Sequence, residues 1–133
     1  MGYRSQVVLA ISKQLRPAFM AALAPNKDAT ALVFNHHDKL DLDYGGDGSL
    51  LVVWDGIKWY SGMGDNVIDL IDKFVDDAGC DTWEFEEDPK DLHGPESASS
   101  EHFRFVRVGE ESDDITVRGE GFWDIYPHTS ISW

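Results

Sequence analysis

The sequence predicts an α+β fold built around one antiparallel sheet. An apolar strand precedes a helix near the N-terminus, a second strand-and-helix unit covers residues 50–75, and alternating segments lie between and after these units. In chain order the segments are β-α-β-(β)-β-α-β with an added hairpin. We therefore expect a ferredoxin-like β-α-β-β-α-β antiparallel sheet over residues 4–86, with two helices on one face plus an added C-terminal β-hairpin or extension. An irregular α+β sheet with the same layers is the alternative.

The first unit begins at residues 6–11 (QVVLAI), an apolar run that is typical of an interior strand. Apolar residues at helical spacing then predict a helix over residues 12–23. Pro17 indicates either that the regular helix begins near Arg16, with the proline in its first turn, or that the helix is kinked. Residues 30–35 (TALVFN) read as the next strand.

A strict alternation of apolar and acidic residues follows in residues 40–44 (LDLDY). Because successive side chains of a strand point to opposite faces, we expect Leu40, Leu42 and Tyr44 to face inward. The glycine-rich residues 45–48 predict a turn.

The second unit contains the strongest local signal in the chain. An Asp-Gly pair at Asp55 and Gly56 separates two apolar runs, which predicts a hairpin turn with positive φ. Apolar residues on both faces of the first run predict a central strand. A helix is then expected to begin at Asp65 or Asn66 and to end with Gly79 at its C′ position.

Short extended segments and turns make up the remainder of the chain. The predicted extended segments are residues 82–86, 102–108, 115–118 and 122–133. Residues 88–100 contain two prolines and a glycine, so we expect a flexible loop there. The whole chain, residues 1–133, is expected to form a single α+β domain.

Composition excludes several classes of protein. No apolar run approaches the roughly 20 residues of a membrane helix, so no membrane association is expected. The N-terminal apolar run is too short for a signal peptide and lacks a small-residue cleavage site. Cys80 is the only cysteine and cannot form an internal disulfide, which fits a reducing cytoplasm.

The net charge of -14 is distributed very unevenly along the chain. Residues 1–64 carry six acids and six bases, whereas residues 65–133 carry nineteen acids and five bases. Phosphate contacts require Lys and Arg, so direct nucleic-acid binding by the second half is disfavoured. A basic partner would be attracted instead. The alternative is that the charge serves solubility alone.

Acidic residues of the second half are the candidate partner-binding residues. Asp69, Asp72 and Asp76 lie at helical spacing and share one stripe. The full set is Asp69, Asp72, Asp76, Asp77, Glu84, Glu86, Glu110, Glu111, Asp113 and Asp114. If these residues converge, they would imitate the regular negative charge of a nucleic-acid backbone. A dispersed acidic face is the alternative.

Metal and catalytic sites are not indicated by the sequence. A calcium loop beginning at Asp41 would have Gly45 at its fifth position and Val52 in place of the bidentate glutamate. The adjacent His36 and His37 would point to opposite faces of an extended segment. No catalytic signature is present, so we expect a binding protein rather than an enzyme, with no catalytic residues, no metal and no cofactor.

Four segments carry a resemblance to a known group of proteins. They are the opening Met1-Gly2-Tyr3-Arg4-Ser5, the Ile57-Lys58-Trp59-Tyr60 segment, the Phe105-Val106-Arg107-Val108-Gly109-Glu110 strand with Asp113-Asp114, and the close Ser130-Ile131-Ser132-Trp133. In these the chain resembles small acidic uncharacterised proteins of tailed bacteriophages and prophages. It departs from them in the long loop of residues 88–100. The resemblance implies a phage accessory protein in the bacterial cytoplasm and brings no catalytic residues.

Together these features favour a phage-encoded binding protein that inhibits a host defence or nucleic-acid-processing system, of the anti-CRISPR or anti-restriction type. The expected partner is a basic host protein or nucleoprotein complex, and the expected state is a monomer or homodimer. One alternative is a small-ligand or enzymatic pocket near Trp59, Trp123 and Tyr126. Another is a self-associating structural protein that pairs through an exposed edge strand, Ile115–Arg118.

Overall fold

The computed structural model describes residues 4–59, 66–80, 84–85, 97–111, 113–122, 124–127 and 131–132. Three helices and nine strands lie within these ranges. In chain order they are β1 (Ser5–Ile11), α1 (Arg16–Leu23), α2 (Lys27–Phe34), β2 (Lys39–Tyr44), β3 (Ser49–Ile57), α3 (Asn66–Gly79), β4 (Glu84–Phe85), β5 (Ser97–Ala98), β6 (Phe103–Val108), β7 (Ile115–Arg118), β8 (Tyr126–Pro127) and β9 (Ile131–Ser132). A 3-10 turn, Ser99–Glu101, precedes β6.

Five strands form one antiparallel sheet in the order β2-β3-β1-β6-β7. β1 lies at its centre and pairs with β3 on one side and with β6 on the other. The remaining short strands form two separate pairs, β4 with β5 and β8 with β9. The predicted α+β class is thereby confirmed.

All three helices pack on one face of this sheet. Leu9 of β1 and Val52 of β3 share a buried core with Phe19 of α1, Val33 of α2 and Ile71 of α3. The indole of Trp54 joins this core and donates from Nε1 to the carbonyl of Leu32 at 3.0 Å. That bond fixes α2 over β3. The prediction of two helices was wrong, because the connection between β1 and β2 contains two helices rather than one.

The opposite face of the sheet has a second, smaller core. Val8 of β1 and Val106 of β6 pack there against Ile125, with Tyr44 and Phe122 at the periphery. Burial raises the pKa of Tyr44, and the carboxylates of Asp124 and Asp41 raise it further. Its phenol therefore remains protonated at neutral pH. Ile125, Phe122 and Tyr44 help to cover this face, where the other face has helices.

The predicted strand at residues 30–35 is wrong, because residues 30–34 belong to α2 and Asn35 is its C-cap. The side chain of Asn26 caps this helix by accepting from the N–H groups of Asp28 and Ala29 at 3.0 and 3.1 Å. Ala29 and Val33, four residues apart, are both fully buried. Burial of a helical stripe therefore overrides the strand preference of the β-branched and aromatic residues.

The predicted hairpin turn at Asp55 and Gly56 is also wrong. β3 runs without interruption through this pair, and Gly56 has a φ of 79°. The pairing between β1 and β3 shifts here, with Ser5 opposite Ile57 and Gln6 opposite Asp55. Gly56 is thus the extra residue of a β-bulge. The positive φ was correctly indicated, but it serves a bulge instead of a turn.

The alternation predicted for β2 is only partly observed. Leu40 packs with the helical-face core and Tyr44 with the opposite core, whereas Leu42 is 48% exposed. The pairing of β2 with β3 shifts between Asp41 and Tyr44, which breaks the alternation. The turn predicted for residues 45–48 is confirmed.

The N-terminal helix and the acidic helix agree with their predictions to within a few residues. Pro17 lies in the first turn of α1, which is the first of the two alternatives. α3 begins at Asn66 and extends through Gly79 itself. The N–H of Cys80 still bonds to the carbonyl of Asp76 at 3.0 Å, so the helical hydrogen bonding ends one residue later than expected.

The C-terminal strands occupy a different place from the predicted one. β6 and β7 confirm the extended segments at residues 102–108 and 115–118. However, the predicted ferredoxin-like sheet was confined to residues 4–86, whereas β6, which lies beyond that range, pairs directly with β1. Of residues 82–86, only Glu84–Phe85 is described, and it pairs with Ser97–Ala98. Residues 88–96 of the predicted loop lie outside the described residues.

Replacing Asn26 by alanine should destabilise the protein, because the first turn of α2 loses the acceptor for two N–H groups. A cap of this kind contributes about 1 kcal/mol. We expect a lower urea midpoint for Asn26→Ala and a midpoint close to wild type for Asn26→Ser, whose hydroxyl also caps. Equal midpoints for the two variants would contradict a capping role.

Gly119 and Gly46 form a matched pair for testing the close approach between the segment after β7 and β6. Both have positive φ, 87° and 76° respectively. A Cβ at Gly119 would lie 2.2 Å from the carbonyl oxygen of Phe103, whereas one at Gly46 would meet nothing within 4 Å. Backbone strain of about 1–2 kcal/mol applies to both alanine variants. We expect Gly119→Ala to lose about 1–3 kcal/mol more in the free energy of unfolding, and similar losses would rule out the steric constraint.

Candidate partner-binding cleft

A cleft of about 400 Å³ lies between α3 and the β6–β7 edge of the sheet. Its lining combines an apolar floor, three carboxylates and two guanidinium groups. The lining residues are Trp59, Val75, Phe105, Asp69, Asp72, Asp76, Arg107, Thr116 and Arg118. We call this the α3 cleft. It brings together the three aspartates that the sequence placed on one helical stripe.

Trp59 forms the floor of the α3 cleft and is only 5% exposed. Its ring packs between those of Trp54 and Phe105, with centroid distances of 5.4 and 5.8 Å. Its indole Nε1 donates to Oδ1 of Asp72 at 3.2 Å. The carboxylate of Asp72 is therefore held by the core rather than extended into solvent.

Arg107 connects the α3 cleft to the turn between β6 and β7. Its guanidinium donates to both carboxylate oxygens of Asp114, at 2.6 and 3.2 Å, and to Oγ of Ser5 at 3.1 Å. The Arg107 and Asp114 side chains are 18% and 31% exposed. A two-pronged, charge-assisted contact with little solvent is among the stronger polar interactions available to a protein.

A second ion pair joins Arg118 of β7 to Asp76 of α3 across the mouth of the cleft. About half of each side chain is exposed, at 46% and 56%. Ion pairs so open to solvent contribute little to stability and exchange readily with other charged groups. The two sides of the cleft are therefore connected by a contact that can be replaced.

The predicted acidic residues fall into three groups. Those on α3 line the cleft, except for Asp77, which pairs with Lys73 at 3.1 Å in an exposed contact. Those of the β6–β7 turn are exposed at Glu111 and Asp113, while Glu110 accepts the backbone N–H of Arg4 at 3.0 Å. The side chain of Glu84 and all of Glu86 lie outside the described residues.

Arg107 and Arg118 are the residues that the sequence reasoning missed. Both lie on the helical face, since Arg107 alternates with Phe105 along β6 and Arg118 pairs with Phe105 across the hairpin. Pairing the two predicted extended segments, residues 102–108 and 115–118, as a hairpin would have placed Arg107 near Asp114. The strongly negative net charge of residues 65–133 drew attention away from these two cations, and the surface at the cleft is a mixed one.

The structure describes only part of the alternative pocket near Trp59, Trp123 and Tyr126. Trp59 lies in the core beneath the helices, whereas Ile125, next to Tyr126, lies in the core on the opposite face. The side chains of Trp123 and Tyr126 lie outside the described residues.

Two shallow concavities of about 340 and 320 Å³ adjoin one another beside α2 and share Leu32, His36 and Ile57.

Within the described ranges, no three His, Cys, Asp or Glu side chains are arranged to hold a metal ion. In the loop after Asp41, whose sequence was compared with a calcium loop, Oδ1 of Asp43 accepts the N–H of Gly48 at 2.7 Å. None of the helices in these ranges has the length and apolar character needed to cross a membrane.

Comparison of the chain with protein-family models, with curated proteins and with solved structures finds no match in any of the three.

Replacing Arg107 by methionine should lower the free energy of unfolding by about 1–3 kcal/mol, because Asp114 and Ser5 lose a partly buried donor. Lys73→Ala is the matched control, since it removes an exposed pair worth less than about 0.5 kcal/mol. Urea unfolding of the two variants measures the difference. Similar losses of unfolding free energy for both variants would show that the Arg107 contact stabilises the protein no more than an exposed ion pair does.

Proposed function

We propose that this protein is a phage-encoded acidic binding protein that acts in the bacterial cytoplasm. Its acidic half would dock on a basic, nucleic-acid-binding surface of a host protein or nucleoprotein complex. It would thereby inhibit a defence or nucleic-acid-processing system, of the anti-CRISPR or anti-restriction type. The supporting observation is the α3 cleft, where three aspartates of one helical stripe share a lining with Arg107, and Arg107 in turn pairs with Asp114 of the acidic β6–β7 turn.

The mixed lining of the α3 cleft suits an arginine side chain of the partner. Asp69 and Asp76 offer carboxylates beside the aromatic floor of Trp59 and Phe105. A planar guanidinium binds carboxylates in pairs and also packs on aromatic surfaces. The incoming arginine would replace Arg118 as the partner of Asp76. Because that internal pair is half-exposed, its loss would cost little.

Nucleic-acid mimicry is the finer form of this proposal. It would require carboxylates spaced along the α3 stripe and the β6–β7 turn to occupy phosphate positions on the partner. Arg107 and Arg118 lie between these two groups of acids. Two short acidic segments, separated by these two arginines, would therefore imitate the nucleic-acid backbone.

We further infer that the fold is ferredoxin-like, with an extra edge strand. The order β6-β1-β3-β2, antiparallel throughout, and the helices on a single face support this assignment. β7 would be the added strand, and the pair α1 and α2 would stand for the single first helix. The finer classification concerns architecture alone and carries no activity with it.

Charge reversal tests the proposed docking surface directly. Asp76→Lys combined with Glu110→Lys changes two exposed acids of the acidic half, and Asp28→Lys combined with Asp55→Lys is the matched control in the neutral half. We expect the first variant to bind its partner roughly tenfold more weakly or worse, and the control to bind like the wild type. Further reversals at Asp72 and Asp114 should weaken binding again.

The measurement is an affinity pull-down from bacterial lysate at two salt concentrations, with mass-spectrometric identification of the captured protein. Capture should fall steeply at the higher salt, because exposed charges beyond about 10 Å are screened. Added duplex DNA or RNA should compete with the protein for the captured partner. Capture that is indifferent to salt and equal in both variants would refute the proposal.

A further inference from the structure

We propose that two copies of this chain associate by pairing their β7 strands antiparallel, about a two-fold axis that passes through Thr116. The two five-stranded sheets then become one continuous sheet. This inference is independent of the proposed function, since it rests on backbone geometry and not on a basic partner.

The two edges of the sheet differ in their readiness to pair. β2 is irregular, because its pairing with β3 shifts between Asp41 and Tyr44, and Oδ1 of Asp41 accepts the N–H of Asp43 at 2.9 Å. β7 pairs with β6 in an unbroken register along its whole length. Bulges and local side-chain bonds are devices that block edge pairing, and they are found on β2 only, among the two described edges.

The outward backbone groups of β7 belong to Ile115 and Val117. The carbonyl of Asp114 accepts the N–H of Gly109 at 2.8 Å, so the backbone of Asp114 faces β6. Hydrogen-bonding direction alternates along a strand, so Thr116 and Arg118 also face β6 while Ile115 and Val117 face outward. The N–H of Ile115 bonds to the carbonyl of Asp113 at 3.1 Å. The N–H of Val117 and the carbonyls of Ile115 and Val117 thus point to the open edge.

A two-fold axis at Thr116 matches these groups to one another. It places Ile115 opposite Val117 of the second copy, so that each Val117 N–H donates to an Ile115 carbonyl across the axis. Both side chains lie on the face away from the helices, beside Val108 and Val106, and are 40% and 43% exposed. Antiparallel apolar neighbours of this kind stabilise a sheet.

Charge complementarity selects this register over its neighbours. The axis at Thr116 places Arg118 opposite Asp114 of the second copy, on the helical face. Moving the axis to Val117 would instead place Ile115 opposite Gly119, and moving it to Ile115 would place Val117 opposite Asp113. Only the Thr116 register joins apolar residues to apolar residues and a cation to an anion.

Disulfide trapping tests the register. In a Cys80→Ser background, Thr116→Cys should form a covalent dimer on mild oxidation, because an axis through this residue brings its two Cα atoms to about 4.5 Å, within disulfide range. Ile115→Cys and Val117→Cys are the register controls and should form little covalent dimer, because neither residue lies opposite its own copy in this register. Efficient crosslinking at either control position, or none at Thr116→Cys, would overturn the proposed register.

Complementary charge variants test the association itself. Arg118→Glu and Asp114→Lys each place like charges together twice in a homodimer, whereas a mixture of the two restores both attractive pairs in a heterodimer. Circular dichroism first establishes that each variant is folded. Sedimentation analysis is carried out at about 0.5 mM protein, a concentration at which dimers with dissociation constants well above 1 μM are still populated. The wild type should sediment as a dimer, at twice the 15.0 kDa chain mass.

Because each chain carries -14 charges, these measurements are made at physiological ionic strength, which screens repulsion beyond about 8 Å while leaving the direct charge contacts in place. Each single variant should sediment as a monomer and the mixture as a dimer. A monomeric wild type, or single variants that dimerise as well as the wild type, would refute the pairing. Loss of salt-sensitive partner capture would leave this result unchanged, so the two proposals fail separately.

Discussion

The structure depends on the nearly complete burial of one strand. Every residue of β1 except Gln6 is buried. Its backbone bonds to β3 on one side and to β6 on the other, which satisfies polar groups that have no access to water. Its side chains leave the two faces of the sheet alternately, so both faces require a cover. The helices supply one cover, and the residues around Phe122 and Ile125 contribute to the other.

The position of the α3 cleft is a consequence of this core. The bulge at Gly56 lets β3 continue beyond its pairing with Gln6, and Trp59 follows two residues after the strand ends. Trp59 is then buried against Phe105 and bonds to Asp72. That contact turns the acidic stripe of α3 towards the strand edge where Arg107 and Arg118 lie. An apolar packing requirement therefore determines where the charged groups meet.

The sequence was sufficient for the fold class and for most elements whose signals are local. Helical spacing located α1 and α3, and the glycine-rich turn before β3 was found from its composition. α2 was missed because Thr30, Val33 and Phe34 favour strands, whereas the Asn26 cap and the burial of Ala29 and Val33 favour a helix. The Asp-Gly pair gave the backbone conformation correctly but not its role, since a bulge and a turn both use positive φ. Pairing partners across long separations, such as β6 beside β1, have no local signal at all.

The acidic site shows the same division. Helical periodicity was enough to group Asp69, Asp72 and Asp76, because their arrangement is set within a single helix. The two arginines were missed, because their approach to these acids depends on sheet order. Counting charge by segment cannot distinguish a carboxylate beside a guanidinium from one surrounded by water. The electrostatic character of the second half is therefore acidic in total and mixed in detail.

Alternation along β1 has a consequence for how this protein can change over time. Val7, Leu9 and Ile11 belong to one core, and Val8 and Ala10 belong to the other. Substitutions that do not share packing partners tend to add independently. Substitutions among the residues that cover one face of the sheet thus have little effect on the packing of the other face. The helical side, with its cleft, can be remodelled while the opposite side continues to hold the sheet together.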